Sequence, residues 1–207
     1  MTKSVVILLK GSLGEIIFCQ GIAQHYIKGG YKVYWPVEFK YLTALKNAYP
    51  DINWLNEDWY SSDPAVRYDL LHALVAPLEL SKTFAGGGDS YQTKYSMYGL
   101  DWKDWRKSAI WVRDAIKERS LFEELVTAEP YIVSSIPMDA SIQMIQVVGY
   151  NIFDWLLIFQ RADEIHIDKY GAVFMLDLLE LKAKEIHIYD KCPNVNLTER
   201  HKYIIHV

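Results

Sequence analysis

A carboxylate follows the second glycine of Gly11-Ser12-Leu13-Gly14-Glu15, where the apolar run Val5–Leu9 ends and a helical pattern begins. A helix N-terminus presents free backbone N–H groups and a positive dipole end to an anion. The turn residues Gly11, Ser12 and Gly14 therefore form a candidate ligand turn, and Glu15 has two readings. An acid in the first helical turn can simply pair with the dipole, or it can belong to an active site built on that turn. The spacing lacks the third glycine of a dinucleotide fingerprint and the Gly-Lys-Ser/Thr ending of a P-loop. A second candidate is Asp168-Lys169-Tyr170-Gly171, between the short strand pattern Glu164–Ile167 and an apolar helical segment. Backbone N–H groups and the Lys169 ammonium would suit a phosphate there, while a solvated loop capped by Asp168 is the plainer reading. His166, just upstream, reads more readily as a hydrogen-bonded core residue than as a catalyst. The third candidate is the aromatic and basic stretch from Tyr91 to Arg113, where Lys94, Tyr95, Trp102 and Arg106 combine rings that stack on sugars with cations that hold phosphates. Packing into the core is the competing use of those rings. No His-Glu-x-x-His, nucleophile elbow or metal-ligand cluster occurs, so zinc and serine hydrolysis have no foothold.

The elements that must position these residues alternate. Val5–Leu9 has the continuous apolar character of a strand covered on both faces, and Ile16, Cys19, Ala23 and Tyr26 then recur at helical spacing up to Gly29-Gly30. Strand signals at 33–35 and 52–55 flank a helical pattern over 38–48, and residues 67–83 are expected to add one or two strands. Gly86-Gly87-Gly88 marks a break, and a charged amphipathic helix is expected over 112–126. From Pro130 the pattern predicts strands at 131–136 and 142–148, a helix at 152–161 and a strand at 164–167. A buried helix over 172–182, a strand at 185–188 and an edge strand at 203–207 follow. Strands alternating with helices predict an α/β fold with Rossmann-like parallel sheets. The expected division is an N-terminal half over 1–85, an aromatic helical connector over 86–128 and a C-terminal half over 129–207.

Bulk properties narrow the function classes. The chain has 207 residues, 51% of them hydrophobic and 23% charged, with 15 Tyr and 7 Trp, which suits a folded globular protein rather than a disordered one. A formal net charge of -4 disfavours a nucleic-acid partner, which needs clustered cations. The two cysteines, Cys19 and Cys192, are too few for a disulfide framework and predict reduced thiols in a cytoplasmic protein. No apolar run has the length of a membrane span or of a signal-peptide core.

The opening strand, Gly11-x-x-Gly14-Glu15-Ile16-Ile17 and Tyr31-Lys32-Val33-Tyr34-Trp35 together resemble the N-terminal half of heptosyltransferase-like glycosyltransferases with the two-Rossmann (GT-B) fold. In that family an acidic residue follows the second glycine and serves as base, and the matching position here is Glu15, where Asp is more usual. The segments Phe153-Asp154-Trp155, Ala162–Asp168 and Leu181–Tyr189 are similar to uncharacterised glycosyltransferase-like proteins, many of them from phages and large viruses. Lys94-Tyr95 and Leu100–Trp105 resemble the middle region of the same group. There Ser-Ser commonly follows the Asp, whereas this chain carries Lys169-Tyr170. The resemblance implies a compact GT-B-like arrangement of two trimmed halves, acceptor side first and donor side second. It implies an inverting, metal-independent glycosyltransferase of glycan synthesis, with Glu15 as base. It further implies a nucleotide-diphosphate sugar as co-substrate, a glycan hydroxyl as acceptor and no bound cofactor. The donor would be held by His166, Asp168, Lys169, Tyr170 and Gly171, with acceptor or phosphate contacts from Lys94, Tyr95, Trp102 and Arg106. A catalytically inactive nucleotide-binding relative is the alternative. A nucleotide-dependent oxidoreductase fits less well, because the glycine pattern is incomplete and Glu38 is the nearest carboxylate that could read a ribose.

Overall fold

The structure, a computed structural model, describes residues 3–9, 11–57, 64–77, 90–147, 151–168, 171–189 and 200–206. Lys169, Tyr170, Gly86–Gly88 and Cys192 lie outside them. The chain divides into two compact units, Met1–Val112 and Arg113–Val207, each built on its own parallel sheet.

In the first unit the elements run β1 (Lys3–Leu8), α1 (Leu13–Phe18), α2 (Gln20–Lys28), β2 (Tyr31–Val37), α3 (Phe39–Ala48), β3 (Asn53–Asn56), α4 (Pro64–Leu71) and β4 (Leu74–Pro77). The sheet order is β3-β2-β1-β4, all neighbours parallel. Central β1 buries Val5, Val6 and Ile7, which is why its sequence shows no alternation. Trp35 and Trp54 are register partners on β2 and β3, and their rings stack at 5.3 Å. The single helix expected after the glycine turn is two helices that meet at Cys19. Gly30, at φ 77°, takes the left-handed conformation that turns the chain from α2 into β2. The span 67–83, expected to add one or two strands, begins with the end of a helix and then supplies β4. Pro64 supplies a preorganised first helical residue, and Asp69 of α4 accepts from the Tyr34 hydroxyl at 2.5 Å and from Lys32 Nζ at 2.8 Å, which ties the helix to β2. Only β4 is a strand within the described part of that span.

The aromatic stretch folds as α5 (Ser90–Ser96), a 3₁₀ turn at Trp102–Asp104 and α6 (Trp105–Ser108), all within the first unit. Tyr95 and Trp105 are buried, and each ring centroid lies 5.2 Å from that of Phe18 at the end of α1. The Tyr95 hydroxyl also donates to the Phe18 carbonyl at 2.5 Å. These two rings are core, in line with the packing alternative.

The second unit contains α7 (Ala115–Leu125), β5 (Tyr131–Ser134), β6 (Gln143–Gln146) and α8 (Leu156–Arg161). It continues through β7 (Glu164–Ile167), α9 (Gly171–Leu176), β8 (Glu185–Ile188) and β9 (Lys202–Ile205). Its parallel sheet has the order β6-β5-β7-β8-β9. The α7 helix is capped by Asp114, whose carboxylate accepts from Lys117 N at 3.1 Å, and its buried Glu118 is neutralised by Arg113. The buried helix expected over 172–182 stops at Leu176. Side chains from the C-terminal segment take over the carbonyl groups beyond it. Arg200 donates to Asp177 O at 3.3 Å, and His201 Nε2 lies 3.1 Å from Leu179 O. Among the described residues no helix is long and apolar enough to cross a membrane.

Candidate active site

In the first unit β1 delivers the chain to Gly11, and Ser12 caps α1. Ser12 and Glu15 form a reciprocal capping box. The Glu15 Oε2 atom accepts from Ser12 N at 2.9 Å and from Ser12 Oγ at 3.4 Å, while Glu15 N donates to Ser12 Oγ at 3.4 Å. Dipole pairing is therefore real, and it leaves the other carboxylate oxygen to other partners. Oε1 accepts from Lys94 Nζ of α5 at 3.2 Å. Lys94 has only 6% of its side chain exposed, whereas Glu15 has 28%. The partly open carboxylate forms part of the wall of a cavity of about 520 Å³ at the carboxyl ends of β1, β2 and β3. Leu8, Leu9, Ile16 and Val37 give the cavity apolar walls, and Glu38 and Glu57 add two further carboxylates. Lys40 pairs with Glu38. Beneath the turn, burial pushes the Cys19 thiol up to about 12, with Lys94 opposing that shift and Glu15 adding to it. This thiol stays protonated at physiological pH and is no nucleophile.

In the second unit the turn after β7 meets the end of β5. Ser135 Oγ donates to Asp168 Oδ1 at 2.6 Å and accepts from Asp168 N at 2.8 Å. Ser134 Oγ, one residue earlier, lies 2.6 Å from Ile136 O and accepts from Ile136 N at 3.1 Å. Both serines thus shape the backbone around the mouth of the β5–β7 pair. Strand order reverses direction at β5/β7, as it does at β1/β4 in the first sheet, and ligands of open α/β sheets sit outside the carboxyl ends of strands near such points. His166 is buried in the sheet. Its Nδ1 lies 3.1 Å from the Tyr189 hydroxyl, its Nε2 lies 3.3 Å from Glu164 Oε2, and its ring stacks on His187 at 4.4 Å. His187 Nδ1 is in turn 2.9 Å from His206 Nε2. Burial and the two neighbouring imidazoles hold His187 below the usual histidine range, against the opposing pull of Glu164 and Glu185.

Of the residues singled out from the sequence, Gly11, Ser12, Gly14, Glu15 and Lys94 come together in the first unit. Tyr95 is committed to the core. Trp102 and Arg106 are half-buried, with the Arg106 guanidinium 5.9 Å from the Trp105 ring. Asp168 and Gly171 flank Lys169 and Tyr170, which are outside the described residues. Sequence reasoning missed Ser135, although consecutive serines ending an apolar strand pattern are a usable signal. It also missed Glu57 on the cavity wall and the stacking of His166 on His187, which share a strand register. Among the described residues no group of three His, Cys, Asp or Glu is arranged to hold a metal ion.

No protein-family model and no curated protein sequence matches the chain. Its structure is similar to the crystal structure of the glycosyl transferase family 9 protein from Veillonella parvula DSM 2008, with a TM-score of 0.63 and 9% sequence identity. The likeness covers 99% of this chain and 87% of that one, and it is a likeness of fold: α/β with two parallel sheets, as in GT-B glycosyltransferases.

Proposed function

We propose that the protein is a glycosyltransferase that moves a sugar from a nucleotide-diphosphate donor to a hydroxyl acceptor, with inversion and without a metal ion in the step. The observation that carries this reading is the Glu15 carboxylate, held at both oxygens yet partly open on the wall of a cavity large enough for a sugar ring. Glu15, Glu38 and Glu57 offer hydrogen-bond acceptors, which suit a ligand rich in hydroxyl donors. In the reaction Glu15 takes the proton of the acceptor hydroxyl as that oxygen attacks the anomeric carbon. The bond from that carbon to the diphosphate oxygen breaks, its electron pair leaves with the nucleoside diphosphate, and the configuration inverts. The donor is assigned to the turn after β7, where Ser135 and Asp168 fix the backbone and Gly171 opens α9. Lys169 would offset the charge that grows on the leaving diphosphate. The fold likeness to a glycosyl transferase family 9 protein supports the same class.

The test is Glu15→Gln, which keeps the size of the side chain and removes the base. Transfer from a panel of nucleotide-diphosphate sugars is expected to fall by about 100-fold or more, the usual scale of a lost general base. Donor binding should stay within about twofold of wild type, as fits a group that acts on the transition state. Wild-type turnover in this variant would remove Glu15 from the mechanism, and loss of transfer on adding EDTA would remove the metal-free step. A second reading is a nucleotide-binding protein without catalysis. Engagement of both Glu15 oxygens within the fold favours it, because a cap needs no open lone pair. That reading expects nucleotide binding with no consumption of any donor sugar.

A further inference from the structure

Lys94 sits 79 residues from Glu15 in sequence, on a different helix, and is 5% exposed. Burying an ammonium is costly, and replacing a buried ion pair as a whole by apolar side chains is often neutral or stabilising, so a pair kept on the wall of a cavity points to a use beyond the fold. The capping box already satisfies the start of α1 through Oε2. Stability of that turn therefore gives no strong reason for a buried cation at Oε1. A hydrogen bond at one oxygen alone leaves the carboxylate plane free to swing, whereas donors at both oxygens fix it. The backbone that carries Lys94 is itself pinned. Its neighbour Tyr95 donates to the Phe18 carbonyl at 2.5 Å, and Tyr95 and Trp105 both pack on the Phe18 ring at the other end of α1.

We infer that Lys94 is the positioning residue of the proposed base, holding the Glu15 carboxylate in the plane that presents its open lone pair to the cavity. This inference rests on the glycosyltransferase reading above. Lys94 acts through Glu15 and touches neither donor nor acceptor, which differs from the ligand contact expected from the sequence.

The experiment compares wild type, Lys94→Met, Glu15→Gln and the double variant for kcat, KM and melting temperature. Lys94→Met should fold with a lowered melting temperature, because Glu15 is left without its cation, and lose about 10- to 100-fold in kcat, the scale of a misplaced catalytic group, while KM for donor and acceptor holds within about twofold. In the Glu15→Gln background the same change should cost nothing further, because there is no longer a base to position. Lys94→Arg, which keeps the cation, should recover part of the lost kcat. Wild-type kcat in Lys94→Met, or an equal loss with and without Glu15, overturns the inference while leaving the glycosyltransferase reading intact. Should wild type transfer no sugar, the glycosyltransferase reading fails and this inference falls with it, since there is then no base to position.

Discussion

At Gly11 the missing side chain is a requirement of Glu15. A Cβ there would stand 2.8 Å from Oε2 and 3.1 Å from the Glu15 Cβ, so any larger residue displaces the carboxylate from its place against Ser12. The first obstructing atom is the end of a flexible side chain, which can move aside at small cost. Gly11→Ala is therefore expected to change stability by less than about 1 kcal/mol, as surface substitutions do. It should lower sugar transfer by about tenfold or more, because the base has left its position. Melting temperature and kcat measured on the same preparation check both halves, and unimpaired transfer would show that the place of Glu15 does not matter. The glycine spacing made this turn and its acid legible, since a capping acid and a helix start are local signals. The partners that define the site were not legible. Lys94 lies 79 residues from Glu15 and Ser135 lies 33 from Asp168, and no spacing rule spans such intervals. Lys94 itself was visible only as a cation among aromatic residues, and its burial beside Glu15 emerges from the packing of α5 on α1.

At the scale of elements, α2 and α5 meet where Gly21 leaves room for a ring. A Cβ at Gly21 would lie 2.6 Å from the Tyr95 hydroxyl oxygen and 2.8 Å from Cε1. Replacing a helical glycine by alanine normally stabilises by about 0.5–1 kcal/mol. Here the opposite sign is expected. Tyr95 is buried and fixed by its bond to Phe18 O, so it cannot retreat as a surface side chain would. Gly21→Ala should destabilise by about 1–3 kcal/mol, the usual cost of overpacking, seen as a lower urea midpoint at constant slope. A gain in stability would show that Tyr95 yields, and with it that the α2–α5 contact is loose. Strands were the most legible elements, because Val5–Leu9 and the Glu-Ile-His-Ile repeats at 164–167 and 185–188 carry their burial in their composition. Helix extents were less so. The apolar pattern over 172–182 does not reveal that Arg200 and His201 will bond the carbonyl groups past Leu176 and let the helix end. Similarly, α4 was not legible in the sequence, because it rests on Pro64 as a first helical residue and on Asp69 as the partner of Tyr34 and Lys32.

For the whole molecule, the alternation of strands and helices was enough to give parallel α/β sheets, while strand order came only with the structure, because crossovers of similar length can place a strand on either side. That order matters to stability as well as to the site. By setting β8 between β7 and β9 it stacks His187 between His166 and His206. Burial is the main cause that lowers the proton affinity of His187, and also that of His201. The sign of the consequence follows from linkage. Below about pH 6.5, the ordinary histidine value, the unfolded chain takes up protons that these folded imidazoles resist, so stability is complete above that pH and declines as pH falls. The carboxylates held low by lysine partners or backbone donors, among them Asp69, Asp114, Asp163 and Glu185, act in a separate window. Their contribution is present above about pH 4 and is lost below it. The melting temperature should therefore be flat from about pH 7 to 8, fall below about pH 6.5, and fall again below about pH 4. Combining His187→Phe, which keeps a ring in the stack, with His201→Gln should remove most of the first fall and leave the second. The same slope below about pH 6.5 in wild type and variant would place the sensitivity elsewhere, whereas a flattened slope assigns it to the half-buried His187 and His201.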